Sequence, residues 1–457
     1  MTQRQPIKSI RLPSVQVPVI AQADVVVVGG GTAGFVAAIA AARTGAETVL
    51  IEQGGYLGGA LTGTYVSNPG YFADSEHDQV IRGIAWEVVE RLEQNGLALI
   101  DREKYKVQVF PEAVKSVALD MVTEAGVKLF LYAMLSDVIM EDDRISGIVM
   151  QSKSGRQVIE GKVFIDATGD ADLAVLAGAP TEKAEAGELW QTSVDLVVAN
   201  VDAARVIQWA DEHPGEAISP ELDYTHQPQA IQPMFTLLIP NPDTQMTETG
   251  IVHRGPMPTV KLMINRSISR VQGSVEIDPT DVSQITYAEI EGRKRALAHL
   301  DFLKKTVPGF EQAIVVGEAF LGVRESRRIV GDYVLTIQDV QSNARFSDVV
   351  LLNARALDRH LSGERFELVF VSGNHDIPYR SLIPKNVRNL LVAGRCISCD
   401  HESHASLRGA ATCMGMGHAA GTAAALAAQS TGAVRDVDVK QLQSRLIAQG
   451  MVLSTEV

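Results

Sequence analysis

Hydrophobic positions open the chain with one unambiguous pattern. "DVVVVGGGTAGFVAAIAAARTGAETVLIEQ", Asp24 to Gln53, reads as a strand apolar on both faces, a glycine-rich turn, an alanine-rich helix and a second apolar strand ending at Glu52. Strands buried on both faces belong to parallel sheets covered by helices, so the stretch predicts a βαβ unit. Residues 1–23 read as a leader packing on the sheet edge. Further on, Ile81, Ile84, Ala85, Val88, Val89 and Leu92 share one face of a helix predicted over 77–98. "FPEAVKSVALDMVTEAG" predicts another, opened by Pro111 and stopped by Gly126. Turns at "EDDR" and "KSGR" then divide a small meander that returns to a buried strand ending near Gly169.

After about residue 185 the pattern changes to alternating strands such as "TSVDLVVANV", loops rich in proline and glycine, and a helix over Tyr287–Thr306. "NLLVAG", Asn389–Gly394, is a last buried strand. A polar loop and a helix of small residues, "TCMGMGHAAGTAAALAAQ", follow it. With no internal repeat or low-complexity linker, the middle is an insertion, which divides the chain into 1–184, 185–376 and 377–457.

The spacing Gly29-x-Gly31-x-x-Gly34, with Thr32 and Ala33 inside it, suits a dinucleotide. The first two glycines permit a sharp turn beside a pyrophosphate, and Gly34 permits close helix–strand packing. Glu52 stands where an acid accepts ribose hydroxyls. Two later strand ends favour FAD over a nicotinamide cofactor. Thr168 and Gly169 allow close approach of a ribityl and pyrophosphate, and Gly394 with Arg395 falls beside the ring. Free amides near Ala411 and Thr412, at the positive end of the last helix, would bind the flavin pyrimidine. Gly58 and Gly59 in "GGYLGGALTG" would wrap the cofactor, and that loop holds no histidine or cysteine for covalent attachment, so FAD is expected to bind non-covalently. "GMGHAAG" lacks a preceding strand and reads as helix packing, so no pyridine-nucleotide domain is expected.

Composition narrows the partners. Of 457 residues, 41 are basic and 55 acidic, a net charge of −14 that disfavours nucleic acid and anionic membrane surfaces. No apolar run reaches membrane-span length, and three cysteines are too few for a disulfide framework, so a cytoplasmic protein is expected.

"GVRESRRIVGDYVLT" (322–336), "IPYRSLIPKNVRNLLVAGRCIS" (377–398) and "DATGDADLAVLAGAP" (166–180), together with the opening turn, resemble the FAD-dependent oxidoreductase family of the glutathione-reductase-type flavoprotein superfamily. The resemblance implies an α/β fold: a Rossmann-like FAD-binding domain of glutathione-reductase type assembled from discontinuous segments, with an inserted α+β substrate domain. The family's substrates are diverse, so the reaction has to be argued from the site. Cys399 and Asp400 depart from the family's alanine and threonine.

Candidate chemistry gathers in "RCISCDHESHASLRGAATC". His404 or His401 would act as general base while hydride passes to flavin N5. Tyr379 is a candidate acid or donor, and Arg324 a candidate grip on a substrate carboxylate or the cofactor. Glu325 and Arg327 read as structural ion pairs. "HESH" lacks zinc-protease spacing and no four-ligand set stands out, so no metal is expected. The leading function is a dehydrogenase or oxidase of a small CH–OH, CH–CH or CH–NH substrate, passing electrons to a quinone, carrier or oxygen. A flavin monooxygenase and an electron relay through Cys396 and Cys399 are the alternatives, and homo-oligomerisation is left open.

Overall fold

A computed structural model describes residues 10, 13–185, 188–213, 217–218, 234–241, 246–254, 259–264, 277–360 and 366–455. The start of the leader and much of the proline- and glycine-rich middle loops lie outside these residues. The valine run forms strand β1 (Val19–Val28), followed by helix α1 (Gly34–Arg43) and strand β2 (Thr48–Glu52). They enter a seven-stranded sheet in the order Lys128–Leu131, β2, β1, Gly155–Asp166, Arg144–Ser152, Met134–Glu141. The seventh strand, Leu390–Val392, pairs with Gly155–Asp166 as well.

The strand Gly155–Asp166 is long because it serves two neighbours on one side. Its first half pairs antiparallel with Arg144–Ser152, and its last three residues pair parallel with Leu390–Val392. On its other side it runs parallel to β1. Val28 sits opposite Asp166, and Asp166 opposite Val392, so three strands end at one level. The fold is mixed α/β on a parallel-rich sheet, the form in which ligands bind at the carboxyl ends of the strands.

The small-residue helix Ala410–Ala428 is buried along all 19 residues and packs on α1. A Cβ on Gly417 would lie 2.2 Å from Ala33 O, and one on Gly421 2.1 Å from Ala37 O. The glycine spacing in "GMGHAAG" therefore lets two backbones touch. It brings the start of this helix to the ends of the three strands.

A six-stranded antiparallel sheet, which includes Val194–Ala199, Thr259–Ile264 and Ile314–Glu318, forms the second body with the helix Val282–Thr306. Its core is separate and includes Leu196, Val198, Leu300, Leu303 and Phe310.

Several boundaries move. β1 begins at Val19 in the middle of the sheet, so the end of the leader is strand and not edge packing. The helix expected over 77–98 starts at Ile84, because Gly83 at φ +64° breaks the turn before it. The helix expected from Tyr287 starts at Val282, where the Asp281 carboxylate accepts the Ser283 and Gln284 amides. Val340, Val350, Leu351, Leu352 and Leu357 pack into the first core, so the boundary at 376 cuts through one packed unit. Among the described residues no helix is long and apolar enough to cross a membrane.

Replacing Gly421 by alanine forces its Cβ onto the Ala37 carbonyl and should cost about 1–3 kcal/mol. Equilibrium urea unfolding measures this, and an unchanged midpoint would contradict the backbone contact.

Candidate functional site

Each of the three strand ends runs into a glycine with positive φ. Gly29 (φ +96°) donates its amide to Ile51 O at 2.9 Å, and a Cβ there would lie 2.6 Å from Ala167 O. A Cβ on Gly34 would lie 1.8 Å from Gly29 O. Gly31 differs, since a Cβ there would meet only Ala167 O, at 3.9 Å. That open face leaves room for a pyrophosphate. Phe35 gives the first helical bond, to Gly31 O at 3.2 Å, so the amides of Thr32, Ala33 and Gly34 have no acceptor within α1.

The second glycine loop is laid on this turn. Gly58 (φ +103°) donates to Gly30 O at 2.9 Å and accepts the Thr32 hydroxyl at 2.9 Å. A Cβ on Gly59 would reach Gly31 Cα at 2.8 Å. Glu52 joins the two segments by accepting the Gly30 and Gly54 amides, both at 2.6 Å. Burial pushes its carboxyl up, against the pull of those amides. Each oxygen keeps a lone pair for a ribose hydroxyl.

Asp166, which the sequence pattern did not single out, organises the second strand end. Fully buried, it accepts the Thr168 amide at 3.0 Å, the Thr168 hydroxyl at 2.7 Å and the Ala174 amide at 2.9 Å. Gly394 (φ +93°) then faces the first turn, where a Cβ would lie 3.0 Å from Ala33 Cβ, and Gly169 (φ +81°) lies against the Arg395 guanidinium, where a Cβ would lie 3.0 Å from Nη2. Arg395 ties these ends together through Asp170 at 2.8 Å and Ser326 Oγ at 3.0 Å. The glycine cradle, the first-turn amides and the half-buried Glu52 fit a dinucleotide.

The flavin-facing amides differ from expectation. Ala411 N–H is not free, because it donates to Pro69 O at 2.8 Å. Thr412 Oγ1 donates to Asn353 Oδ1 at 2.7 Å. The segment around Pro69 therefore covers the start of the last helix.

The two histidines separate clearly. The segment read as a loop contains a helix, His401–Leu407, capped by Asp400, whose carboxylate accepts the Ser403 amide at 2.7 Å and the Ile337 amide at 2.9 Å. His404 is fully buried, with Nε2 2.9 Å from Arg395 O and Nδ1 without a partner. Burial, reinforced by Arg328 and Arg408, holds its pKa well below the usual range. It is a neutral ring pinned to a backbone carbonyl. His401 keeps 25% of its side chain exposed, and its Nδ1 lies 2.9 Å from Glu325 Oε1. Its ring stacks on Trp190 at 4.4 Å and 13°.

Glu325 is completely buried and also accepts the Trp190 amide at 3.1 Å and the Arg328 guanidinium. Its own partners are thus Arg328 and His401, while Arg327 pairs with Asp172. Arg324 donates to Gln191 O at 2.7 Å, and burial holds its pKa down. Tyr379 is corrected from a candidate acid to a core residue. It is 2% exposed and donates to Val434 O at 2.8 Å, and burial pushes its phenol up. Cys396, Cys399 and Cys413 are free and buried, and burial pushes Cys396 well up and Cys399 to about 12. Such thiols stay protonated at neutral pH, which removes the physical basis of a dithiol relay. Among the described residues no group of ligands could hold a metal ion.

The sheet ends and turn define a dinucleotide-binding α/β protein. Residues 24–446 match the family described as FAD dependent oxidoreductase, and the chain belongs to that family. It is an enzyme, and its cofactor is FAD. Relatives include a thiamine thiazole synthase of Aeropyrum pernix, 32% identical over 193 residues, 39% of this chain and 67% of the relative. A thiamine thiazole synthase of Methanococcus vannielii is 31% identical over 156 residues, 32% of this chain and 56% of the relative. The chain thus spans little more than half the length of some of the relatives it matches. Among solved structures, a geranylgeranyl bacteriochlorophyll reductase-like protein of Thermoplasma acidophilum aligns over 94% of this chain and 84% of its own, with TM-score 0.48 and 13% identity. A p-nitrophenol 4-monooxygenase of Pseudomonas putida aligns over the same shares, with TM-score 0.45 and 11% identity.

Replacing Gly34 by alanine forces its Cβ onto Gly29 O, 1.8 Å away, so it should open the turn and leave purified protein with at most about a tenth of the wild-type flavin. The ratio of visible to ultraviolet absorbance reads this, with circular dichroism to verify folding. Full flavin content in the variant would refute the role given to the turn.

Proposed function

We propose that the enzyme transfers hydride between a small organic substrate and FAD, with His401 as the base and Glu325 as its positioning residue. The carrying observation is the His401–Glu325 contact at 2.9 Å, made by a carboxylate with no exposure to solvent. A carboxylate on Nδ1 selects the tautomer with its proton there and turns Nε2 outward as acceptor. Nε2 then takes a hydroxyl or amine proton from the substrate as its carbon loses hydride. The imidazolium so formed is stabilised by Glu325, and the Trp190 ring fixes the imidazole plane. Bound FAD supplies the hydride acceptor at N5. His404, neutral and enclosed, holds the Arg395 carbonyl and takes no proton. The insertion supplies Trp190 and Arg324, consistent with a substrate domain over a flavin domain of glutathione-reductase type. Electrons would leave to a quinone, a carrier or oxygen.

Anaerobic stopped-flow reduction of the flavin across alcohols, hydroxy acids and amines tests this. With a reducing substrate, His401→Gln should slow reduction by about two to four orders of magnitude, the usual value of a general base. His404→Gln should lower thermal stability and leave the step within a few-fold. Equal rates in His401→Gln and wild type would contradict the assignment. Reduction by NADPH with no response to the panel would favour the monooxygenase reading.

A further inference from the structure

An exposed tyrosine stands just past the strand that runs beside Glu52. Tyr132 is 70% exposed and takes φ +55°, a left-handed backbone that L side chains rarely adopt. Two hydrogen bonds hold it there. Its own amide donates to Gly54 O at 3.1 Å, and the Ala133 amide donates to Glu52 O at 2.9 Å. The phenol lies across Gly55, where a Cβ would sit 2.2 Å from the Tyr132 hydroxyl oxygen and 2.6 Å from its Cζ. Among the described residues no other aromatic ring packs on Tyr132. A strained backbone and a glycine that cannot carry a side chain thus keep a large ring out in solvent, and strain of this kind marks a functional residue.

The place of that ring along the sheet says what it meets. Leu131 pairs with Glu52, and Ile51 with Val28, so three strand ends lie side by side in the order Lys128–Leu131, β2, β1. Neighbouring strands are about 4.8 Å apart. The turn after β1 leaves room for a pyrophosphate, and Glu52 at the end of β2 is open to a ribose hydroxyl. A nucleotide laid across these two ends carries its phosphates on one side of the sugar and its base on the other. The base therefore falls over the third strand end, where Tyr132 stands.

We propose that Tyr132 is the platform for the adenine of FAD: the base stacks on the free face of its ring while Glu52 holds the ribose beside it. Tyr132 is a binding residue at the far end of the cofactor from the flavin ring, and its role does not depend on the hydride-transfer reading. An aromatic face gains by stacking on a base and gains nothing from FMN, which has no adenine. Gly55 is the positioning residue. A methyl group at 55 would push the phenol off its seat without touching the base. The exposed ring and the left-handed backbone then have one explanation, since a ring turned into the protein's own core could offer no face to the cofactor.

The test is calorimetric titration of the deflavinated chain with FAD, ADP and FMN. Tyr132→Ala should lower the affinity for FAD and for ADP by the same factor, about five- to a hundredfold, the range of base–aromatic stacking, and leave FMN as in wild type. Tyr132→Phe keeps the face and should stay within about twofold. Gly55→Ala should reproduce the loss in the wild-type chain and add little to Tyr132→Ala, as two residues acting through one contact do. In the wild-type complex with ADP, the adenine proton resonances should move upfield under the tyrosine ring. That shift needs no variant, so its absence counts against the stack even if a substitution unfolds the chain. Unchanged FAD and ADP affinity in folded Tyr132→Ala, an equal fall for FMN, or additive effects of the two alanine substitutions would overturn the proposal.

Discussion

Three parallel strands that stop at one level, each released by a glycine, are the constraint on which the site depends. The register Val28–Asp166–Val392 sets the level. Gly29, Gly169 and Gly394 all take positive φ, so the backbone leaves the sheet there without a Cβ to block it. Nothing of this works unless the last helix can approach α1, which is why Gly417 and Gly421 lie against the Ala33 and Ala37 carbonyls. The sheet supplies the floor, and the helix contact brings the start of the last helix to it.

Carboxylates drawn into the protein organise the rest. Glu52 fastens the second glycine loop to the first turn, Asp166 builds the turn after the central strand, and Glu325 aims His401. Asp166 and Glu325 are fully buried and Glu52 partly so, and each is satisfied by several donors, which makes an inward-facing acid tolerable. Fold and site share one device: a carboxylate drawn in from water and then matched by donors around it.

Local patterns made much of this legible. A valine run, fixed glycine spacing and a helix of alanines and glycines are short-range signals, and they placed the strand, glycine turn and helix and the close-packed last helix. The choice between His401 and His404 was not legible, because the partners that decide it, Glu325 and the Arg395 carbonyl, are set by tertiary packing. Asp400 departs from the family pattern and looked like a doubt about the site, yet its carboxylate caps the His401–Leu407 helix and also accepts the Ile337 amide. Tyr379 was misread because a tyrosine before a buried strand looks the same in sequence whether it faces a cleft or, as here, the Val434 carbonyl. The Ala411 amide was misread because the segment that covers it, around Pro69, lies far away in the chain.

The central claim is that these level strand ends select a flavin dinucleotide. Calorimetric titration of the apo-protein with FAD and with NAD tests it most directly. One equivalent of FAD per chain, with no saturable uptake of NAD, is the predicted outcome. Binding of NAD in place of FAD, or of neither nucleotide by folded protein, would contradict it.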